Sequence, residues 1–431
     1  MPEFKTVRGM RDFLPEEANT MKYIEAKARE VAQLYGFREI ITPIVESLDL
    51  LAAKSGEEIR SRMFIFKDLG GRDVVLRPEF TASVARLVAT ILRNEPKPFR
   101  LFSMGSVYRY DEPQKGRYRE FWQSNFELMG SNRPEADAEI LTLTDSLMRA
   151  VGLTGYAFKI GHVGVLKAIF NQEKLDDKIQ NSVMQLMDKK MHDDALKTLE
   201  ENRAPRKCLT TVRELVEIKG SKLLEITDKV KECVKDYAKA VEAAENLTEI
   251  LRLVSDAGGK IDMNVDAGFA RGLEYYTGMI FEVYVPQLDI ALGGGGRYDR
   301  LIELFGGEPT PAVGVAHGLD RIMLAMQGQK TKLKTGEEKT VLVIPIKEEL
   351  KGEALKIAKM LRDAGVPTEV EIMGRKMAKA LEDANRKEMD YAIIVGEQEL
   401  KEGAVALRSL AKREQKTVKI AELLTAISEQ A

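Results

Sequence analysis

The string Arg271-Gly272-Leu273-Glu274-Tyr275-Tyr276-Thr277-Gly278 sets a permanent cation and two adjacent phenols just ahead of a β-type run, Met279 to Val285. A guanidinium presents a planar fork of donors to an anionic centre, and a phenol hydroxyl can donate or accept beside a polar ligand. The spacing therefore predicts a site for an anionic reaction centre next to an aromatic-polar pocket. Alternation along a strand would send Tyr275 and Tyr276 to opposite faces, so one is expected to line the pocket and the other to pack or meet a different substrate.

A second polar cluster reads as a hairpin. Phe102 to Asp111 forms one arm, the loop Pro113-Gln114-Lys115-Gly116-Arg117-Tyr118-Arg119 is basic, and Glu120 to Leu128 returns. On the returning arm Phe121, Gln123, Asn125 and Glu127 share a face, while Trp122, Phe126 and Leu128 form an apolar face opposite. A row of two amides and a carboxylate on a strand with a proper core side is expected to meet a ligand. A third segment, Ala312 to Leu324, passes from a small-residue strand into an amphipathic helix that carries Arg321 near its start. Glycines there permit close backbone approach, and a buried arginine needs an anion, for which phosphate is the natural candidate.

These side chains need a scaffold. Asn19 to Tyr35 and Ala136 to Val151 have helical periodicity, and Tyr156 to Ile160 reads as a strand. From about Asn171 to Ala257 the pattern is helical and rich in Lys, Glu, Leu and Asp, broken at Pro205, which predicts an inserted helical module. The sheet resumes at Ile261 and contains the run Gly293-Gly294-Gly295-Gly296-Arg297-Tyr298-Asp299. That run lacks the βαβ setting and the downstream acid of a dinucleotide loop, so close approach of the backbone to a ligand is the expectation. Gln327 to Lys339 has linker composition. Beyond it, strands at Val341–Ile346, Thr368–Ile372, Tyr391–Val395 and Ala404–Arg408 alternate with helices at Glu349–Ala364 and Lys376–Lys387, predicting a small α/β domain with a mostly parallel sheet. The expected division is thus residues 1–329, with the helical insertion at about 171–257, followed by residues 330–431.

The chain has 431 residues, enough for two or three domains with ample core. Its net charge is −2 with 31% charged residues, so a nucleic-acid partner would have to be met by local patches, the 115–119 loop being the best. Two cysteines, Cys208 and Cys233, and three scattered histidines, His162, His192 and His317, form no disulfide framework or zinc spacing, and structural roles are expected for the histidines. No apolar run reaches membrane-span length and Met1 to Met10 lacks a signal-peptide pattern, so a cytoplasmic location is expected.

Taken in order, these motifs closely resemble those of class II aminoacyl-tRNA synthetases, and the Arg271 to Tyr276 string resembles the histidine-specific motif of the histidyl-tRNA synthetases. Gly36-Phe37-Arg38-Glu39-Ile40-Ile41-Thr42-Pro43 is similar to the first class motif, at the dimer interface, and Leu76-Arg77-Pro78-Glu79-Phe80-Thr81 to the amino-acid-binding turn. The resemblance implies an α+β fold: an antiparallel catalytic sheet flanked by helices, with a helical insertion and a C-terminal α/β anticodon-binding domain. It implies ATP-dependent activation of histidine to the adenylate and transfer to the 3′ end of its tRNA by a homodimer, with ATP as substrate and Mg²⁺ expected, its ligands left open. Carried over, Arg109 holds the α-phosphate, Phe121 stacks on adenine, and Arg321 clamps the far end of the triphosphate. Glu79 and Thr81 meet the histidine α-amino group, while Gln123 and Arg271 lie near its carboxylate and the α-phosphate. Glu127 and Tyr276, or Tyr275, read the imidazole. Arg109 and Arg271 are then the catalytic cations, and Gln114 and Arg117 contact the tRNA acceptor end.

The sequence departs from the family pattern at Asp111, where a glutamate is common, and at Phe80 and Trp122, where glycine and histidine are frequent. The alternative is a histidine-binding regulatory subunit of ATP phosphoribosyltransferase, which resembles the catalytic core. Such a subunit is expected to lack the C-terminal domain and key arginines, whereas Arg109, Arg271 and Arg321 are all present here. Lys376-Met377-Ala378-Lys379-Ala380 superficially resembles a class I synthetase lysine loop, but it falls mid-helix and no His-Ile-Gly-His turn accompanies it.

Overall fold

In the computed structural model, residues 4–54, 60–258, 260–271, 275–333 and 339–428 are described. The chain divides into two compact units, Met1–Leu333 and Lys334–Ala431.

The first unit is organised by a sheet whose strand order, among the described residues, is Arg38–Glu39, Phe99–Tyr108, Glu120–Met129, Ala312–Gly318, Gly293–Arg297, Met279–Tyr284, Ala157–His162, Met263–Asp266 and Lys219–Gly220. The six central strands are antiparallel throughout, and parallel pairing occurs only towards the two edges. Period-two alternation gives this sheet two chemically different faces. Phe126, Leu128, Phe281, Val283, Val313 and Val315 point into one buried core. Gln123, Asn125, Glu127 and Glu282 sit on the other face, where the cavity described below lies.

Helices cover the apolar face. Pro15–Leu34 begins with Pro at its first turn and with Glu16 and Glu17, whose charge suits the partial positive end of the helix. Its Ile24, Ala28 and Val31 recur at helical spacing and enter the core together with Ile140, Leu141 and Leu147 of helix Pro134–Ala150 and Ile250, Leu251 and Val254 of helix Ala238–Asp256. His317 and His162 are also interior. His317 packs on Phe126 and meets Thr144 Oγ1 at 3.2 Å, and burial pushes its pKa down to about 3. His162 meets Asn246 Oδ1 at 3.3 Å, and burial pushes its pKa down to about 4. Both rings are neutral packing groups.

Residues 171–257 are helical as expected, but as five helices joined by short turns, Asp177–Asp188, His192–Glu201, Arg206–Glu217, Leu223–Cys233 and Ala238–Asp256. Pro205 is the residue just before the third of these, where a missing N–H costs nothing. Lys219–Gly220 interrupts the run as a short edge strand, pairing with Asp266 and Val265.

Arg297 ties the glycine strand to helix Pro134–Ala150. Its Nε donates to both oxygens of Asp137 at 3.1 and 3.0 Å, and Nη1 donates to the Ser131 carbonyl at 2.9 Å and to Asp299 at 3.1 Å. Both partners are buried, and burial raises the pKa of Asp137 despite the attraction of Arg297. Leaving one member of such a pair alone costs far more than the pair itself contributes.

In the second unit the strand order is Thr368–Val370, Val341–Pro345, Tyr391–Val395, Ala404–Ser409 and Gln415–Lys419. Helix Lys351–Asp363 covers one face and Met377–Arg386 the other. The expectation of a mostly parallel sheet needs correction: Val341–Pro345 pairs parallel with both neighbours, but Ala404–Ser409 pairs antiparallel with both of its own. No helix crosses between Tyr391–Val395 and Ala404–Ser409 to turn the chain round; the five-residue helix Glu397–Lys401 only bridges a reversal.

Asp137→Ala should lower the unfolding free energy of the first unit by about 3 to 5 kcal/mol, read as an earlier transition in urea, because it strands the Arg297 guanidinium in the interior. A shift below 1 kcal/mol would mean that the pair is solvated.

Candidate active site

A cavity of 520 Å³ opens on the polar face of the first unit's sheet. Its floor is the row that alternation predicts: Gln123, Asn125 and Glu127 all line it, with Phe121 at its rim end. Asn125 and Glu127 are each 1% exposed. Glu127 is held from two sides. Thr81 Oγ1 donates to its Oε1 at 2.7 Å, and the buried Tyr298 hydroxyl donates to its Oε2. Burial raises the pKa of Tyr298 well above the ordinary phenol value, and the neighbouring Glu127 charge raises it further, so the hydroxyl stays a donor. Glu79 caps the helix Thr81–Ala89, its carboxylate accepting the backbone N–H of Thr81 at 2.5 Å and of Ala82 at 3.0 Å. Buried amide oxygens remain within the row. Among the described residues Gln123 Oε1 and Asn125 Oδ1 have no hydrogen-bond partner, and such acceptors call for a donor.

Five arginines border the cavity, Arg62, Arg109, Arg117, Arg271 and Arg321. Arg109, just past strand Phe99–Tyr108, donates through Nε to the Pro78 carbonyl at 2.9 Å and lies 5.3 Å from the Phe121 ring centroid. Burial draws its pKa down. Arg321, in the first turn of helix Leu319–Gly328, donates to the carbonyls of Gly116 at 3.1 Å and Ala291 at 2.8 Å. Burial, then the nearby charges of Arg109 and Arg117, depress its pKa to about 10. Neighbouring cations of this kind suit an anionic ligand, since an opposite charge close by favours the charged form. Arg271 donates to Glu282, which also accepts from the Tyr284 hydroxyl. Burial lowers the pKa of Arg271, and Glu282 together with Tyr276, Asp188 and Tyr275 more than reverses this.

Glycine makes the room. At Gly314 a Cβ would fall 1.7 Å from Glu127 Oε2, and at Gly294 one would fall 2.9 Å from Arg271 Nη1. Both glycines lie on strands that form the cavity floor, so the close approach expected of the glycine run is an approach of the strand to the site's own charged side chains.

The structure brings Glu79, Thr81, Arg109, Arg117, Phe121, Gln123, Glu127, Arg271, Tyr275, Tyr276 and Arg321 to one cavity. Gln114 is exposed and does not line it; its backbone instead pairs with that of Arg117 across the loop. The opposite-face expectation for Tyr275 and Tyr276 fails. Both rings line the cavity, 4.8 Å apart and tilted by 42°, because the strand begins only at Met279 and the tyrosines precede it on a turn. Gly272, Leu273 and Glu274 fall outside the described residues.

Several lining residues escape the sequence reading. Tyr298 follows the glycine run directly, and Glu282 is a lone carboxylate in an apolar strand; both irregularities are visible signals. Gln185, Asp188, Lys189 and Lys190 are not foreseeable, since they come from the helical insertion, which thereby supplies one wall.

A family model described as Histidyl-tRNA synthetase matches residues 9–322. The chain belongs to the histidyl-tRNA synthetase family. A second model, described as Anticodon binding domain, matches residues 340–430. The Histidine--tRNA ligase of Methanocaldococcus jannaschii is 44% identical over 422 residues, covering 97% of this chain and 98% of that one. The Histidine--tRNA ligase of Pyrococcus furiosus is 39% identical over 427 residues, covering 97% of each. Among solved structures, a Bacillus halodurans C protein described as an ATP phosphoribosyltransferase regulatory subunit/histidyl-tRNA synthetase is similar with a TM-score of 0.77 at 26% identity, over 91% of this chain and 99% of that one. The histidyl-tRNA synthetase of Nostoc sp. PCC 7120 superposes over 100% of both chains with a TM-score of 0.82; at 24% identity this likeness concerns the fold. As a histidyl-tRNA synthetase family member the chain is an aminoacyl-tRNA synthetase, a ligase. The regulatory-subunit alternative has no better support, since the curated relatives are ligases over nearly the full length.

In a family that handles histidine, the gap above Gly314 has a direct consequence. Gly314→Ala should displace Glu127 and abolish measurable histidine binding by calorimetry, with the circular dichroism spectrum unchanged. Wild-type affinity in that variant would show that Glu127 has room to move.

Proposed function

We propose that this cavity joins histidine to ATP as histidyl-adenylate and then passes histidine to the 3′ end of its tRNA, with the side chains in the following roles. The observation that carries the reading is the juxtaposition, in one cavity, of a buried, doubly braced carboxylate with Arg109, Arg271 and Arg321.

Activation is attack of the histidine carboxylate on the α-phosphorus of ATP. A P–O bond forms, the bond to the bridging oxygen breaks, and pyrophosphate leaves. Negative charge grows on the non-bridging oxygens, and nothing covalent is required of the protein, so rate comes from alignment and preorganised positive charge. Arg109 and Arg271 supply that charge, Arg321 holds the far end of the triphosphate, and Phe121 stacks on adenine with Arg109 beside it. In the second step a terminal ribose hydroxyl of tRNA attacks the histidine carbonyl carbon and AMP leaves.

Histidine is held at both ends. Glu79 and Thr81 receive the α-ammonium group, and the acceptor left open on Asn125 adds a third contact. Gln123 lies by the carboxylate with Arg271. Glu127, fixed by Thr81 and Tyr298, accepts one imidazole N–H, while the tyrosine pair meets the other nitrogen. A site that buries such groups rejects an analogue lacking their partners by about 10⁴ to 10⁵, which supports selection of histidine without an editing domain.

Mg²⁺ keeps several waters and is usually held by one or two carboxylates together with substrate phosphates. Among the carboxylates that line the cavity, Asp111 suits that kind of ion, which would offset triphosphate charge; Asp320 is taken up by Arg11 and the Trp122 N–H. Arg117, at the mouth, and Gln114, in the same exposed loop, are proposed to meet the tRNA acceptor end, and residues 340–430 the anticodon region. The enzyme is proposed to work in the cytoplasm as a homodimer. The segment beside Pro43 exposes Ile41 at 95% and Ile44 at 44%, apolar surface that a second copy would cover.

Histidine should be the one amino acid of the twenty that supports ATP–pyrophosphate exchange. Arg271→Ala should slow that exchange by roughly a hundred-fold or more, about 3 to 4 kcal/mol of transition-state stabilisation. Glu127→Gln should raise the KM for histidine far more than the KM for ATP; equal losses for both substrates would remove Glu127 from the imidazole site. Sedimentation at micromolar concentration should give a dimer, and a clean monomer would overturn the assembly.

A further inference from the structure

Arg271 lies on a connecting segment, outside any strand, yet its guanidinium has to be held still for the role proposed above. What fixes it is a neighbour on the rigid sheet. Arg271 Nη1 donates to Glu282 Oε1, and the other carboxylate oxygen, Oε2, accepts from the Tyr284 hydroxyl. Glu282 and Tyr284 are two residues apart on strand Met279–Tyr284, so both project from the cavity face. That strand is paired on both sides, with Glu282 opposite Gly294 on one neighbour and Lys159 on the other. Lys159 does not take the carboxylate away, for its ammonium is paired with Asp266 at 2.9 Å. At Gly294 a Cβ would fall 2.9 Å from Arg271 Nη1 and 3.0 Å from Glu282 Cγ, so a side chain at this position would press on the ion pair and make it shift.

We propose that Glu282 is the positioning residue for the adenylation step: it holds Arg271 with the remaining guanidinium N–H groups turned to the α-phosphate, while Tyr284 and the clearance at Gly294 hold Glu282. This inference rests on the role given to Arg271. A carboxylate braced by a phenol and rooted in a central strand occupies one edge of the guanidinium and leaves its other donors for a ligand. Misplacing a group of this kind by about 1 Å costs on the order of a hundred-fold in rate.

The test is histidine-dependent ATP–pyrophosphate exchange in Arg271→Ala, Glu282→Gln and the double variant, with thermal denaturation of each as a folding control. Glu282→Gln should lower kcat by roughly ten- to a hundred-fold with both KM values within a few-fold of wild type. The double variant should be no slower than Arg271→Ala alone, because Glu282 acts only through that arginine. Gly294→Ala should lower kcat with the ionic partners intact, and Tyr284→Phe should lower it less; these two decide the matter if Glu282→Gln does not fold. Wild-type kcat in Glu282→Gln, or losses that multiply in the double variant, would overturn the proposal while leaving Arg271 in its role. Near-wild-type kcat in Arg271→Ala would instead remove the role of Arg271 itself, and the proposal with it.

Discussion

A charge on the floor of a well-packed sheet loses its water, and it is tolerated only where a partner already stands in place. The polar face of the first unit is laid out by that requirement. Glu127 is bracketed by two hydroxyl donors, Arg271 by a carboxylate, Arg109 and Arg321 by backbone carbonyls, and Asp320 by Arg11 and the Trp122 N–H. None of these arrangements waits for a ligand in order to form. In the proposed roles these groups would be oriented by the protein itself, leaving little reorganisation for the moment of reaction.

The same constraint accounts for the glycine-rich strand. Each strand residue facing the cavity must either be a functional side chain or leave space for one, and two neighbouring strands cannot both project bulk into the same layer. Gly294 and Gly314 take the second course. Their cost in chain entropy is offset by central placement, since the glycine strand is paired along its length on both sides and anchored at its end by Arg297 on Asp137. Fold stability and site geometry are thus coupled through one strand.

How much of this was legible in the sequence varied with the range of the interaction responsible. The split of residues 121–128 into a polar and an apolar face was readable because alternation within a strand is a local rule, and the structure keeps it residue by residue. Tyr275 and Tyr276 were misread by the same rule, applied four residues too early, since the strand starts at Met279. The lining by Gln185, Asp188, Lys189 and Lys190 had no local signal, because tertiary packing, and no pattern in their own segment, brings them to the cavity. In the second unit the edge strand Gln415–Lys419 has a single buried residue, Val418, and so too little apolar periodicity to be recognised.

The arginines at the two ends of the cavity are held in different ways. Arg271 is fastened to a full negative charge, whereas Arg321 rests on two neutral carbonyls and is repelled by its neighbours. A ligand anion that engages Arg321 breaks no ion pair and relieves a repulsion, so capture and release of a polyanion at that end carry a small barrier. Arg271, proposed to stand beside the reacting phosphorus, has no such freedom. In the proposed roles, one end of the cavity would behave as a latch that opens on every turnover, and the other as a fixed jig that stays set between turnovers.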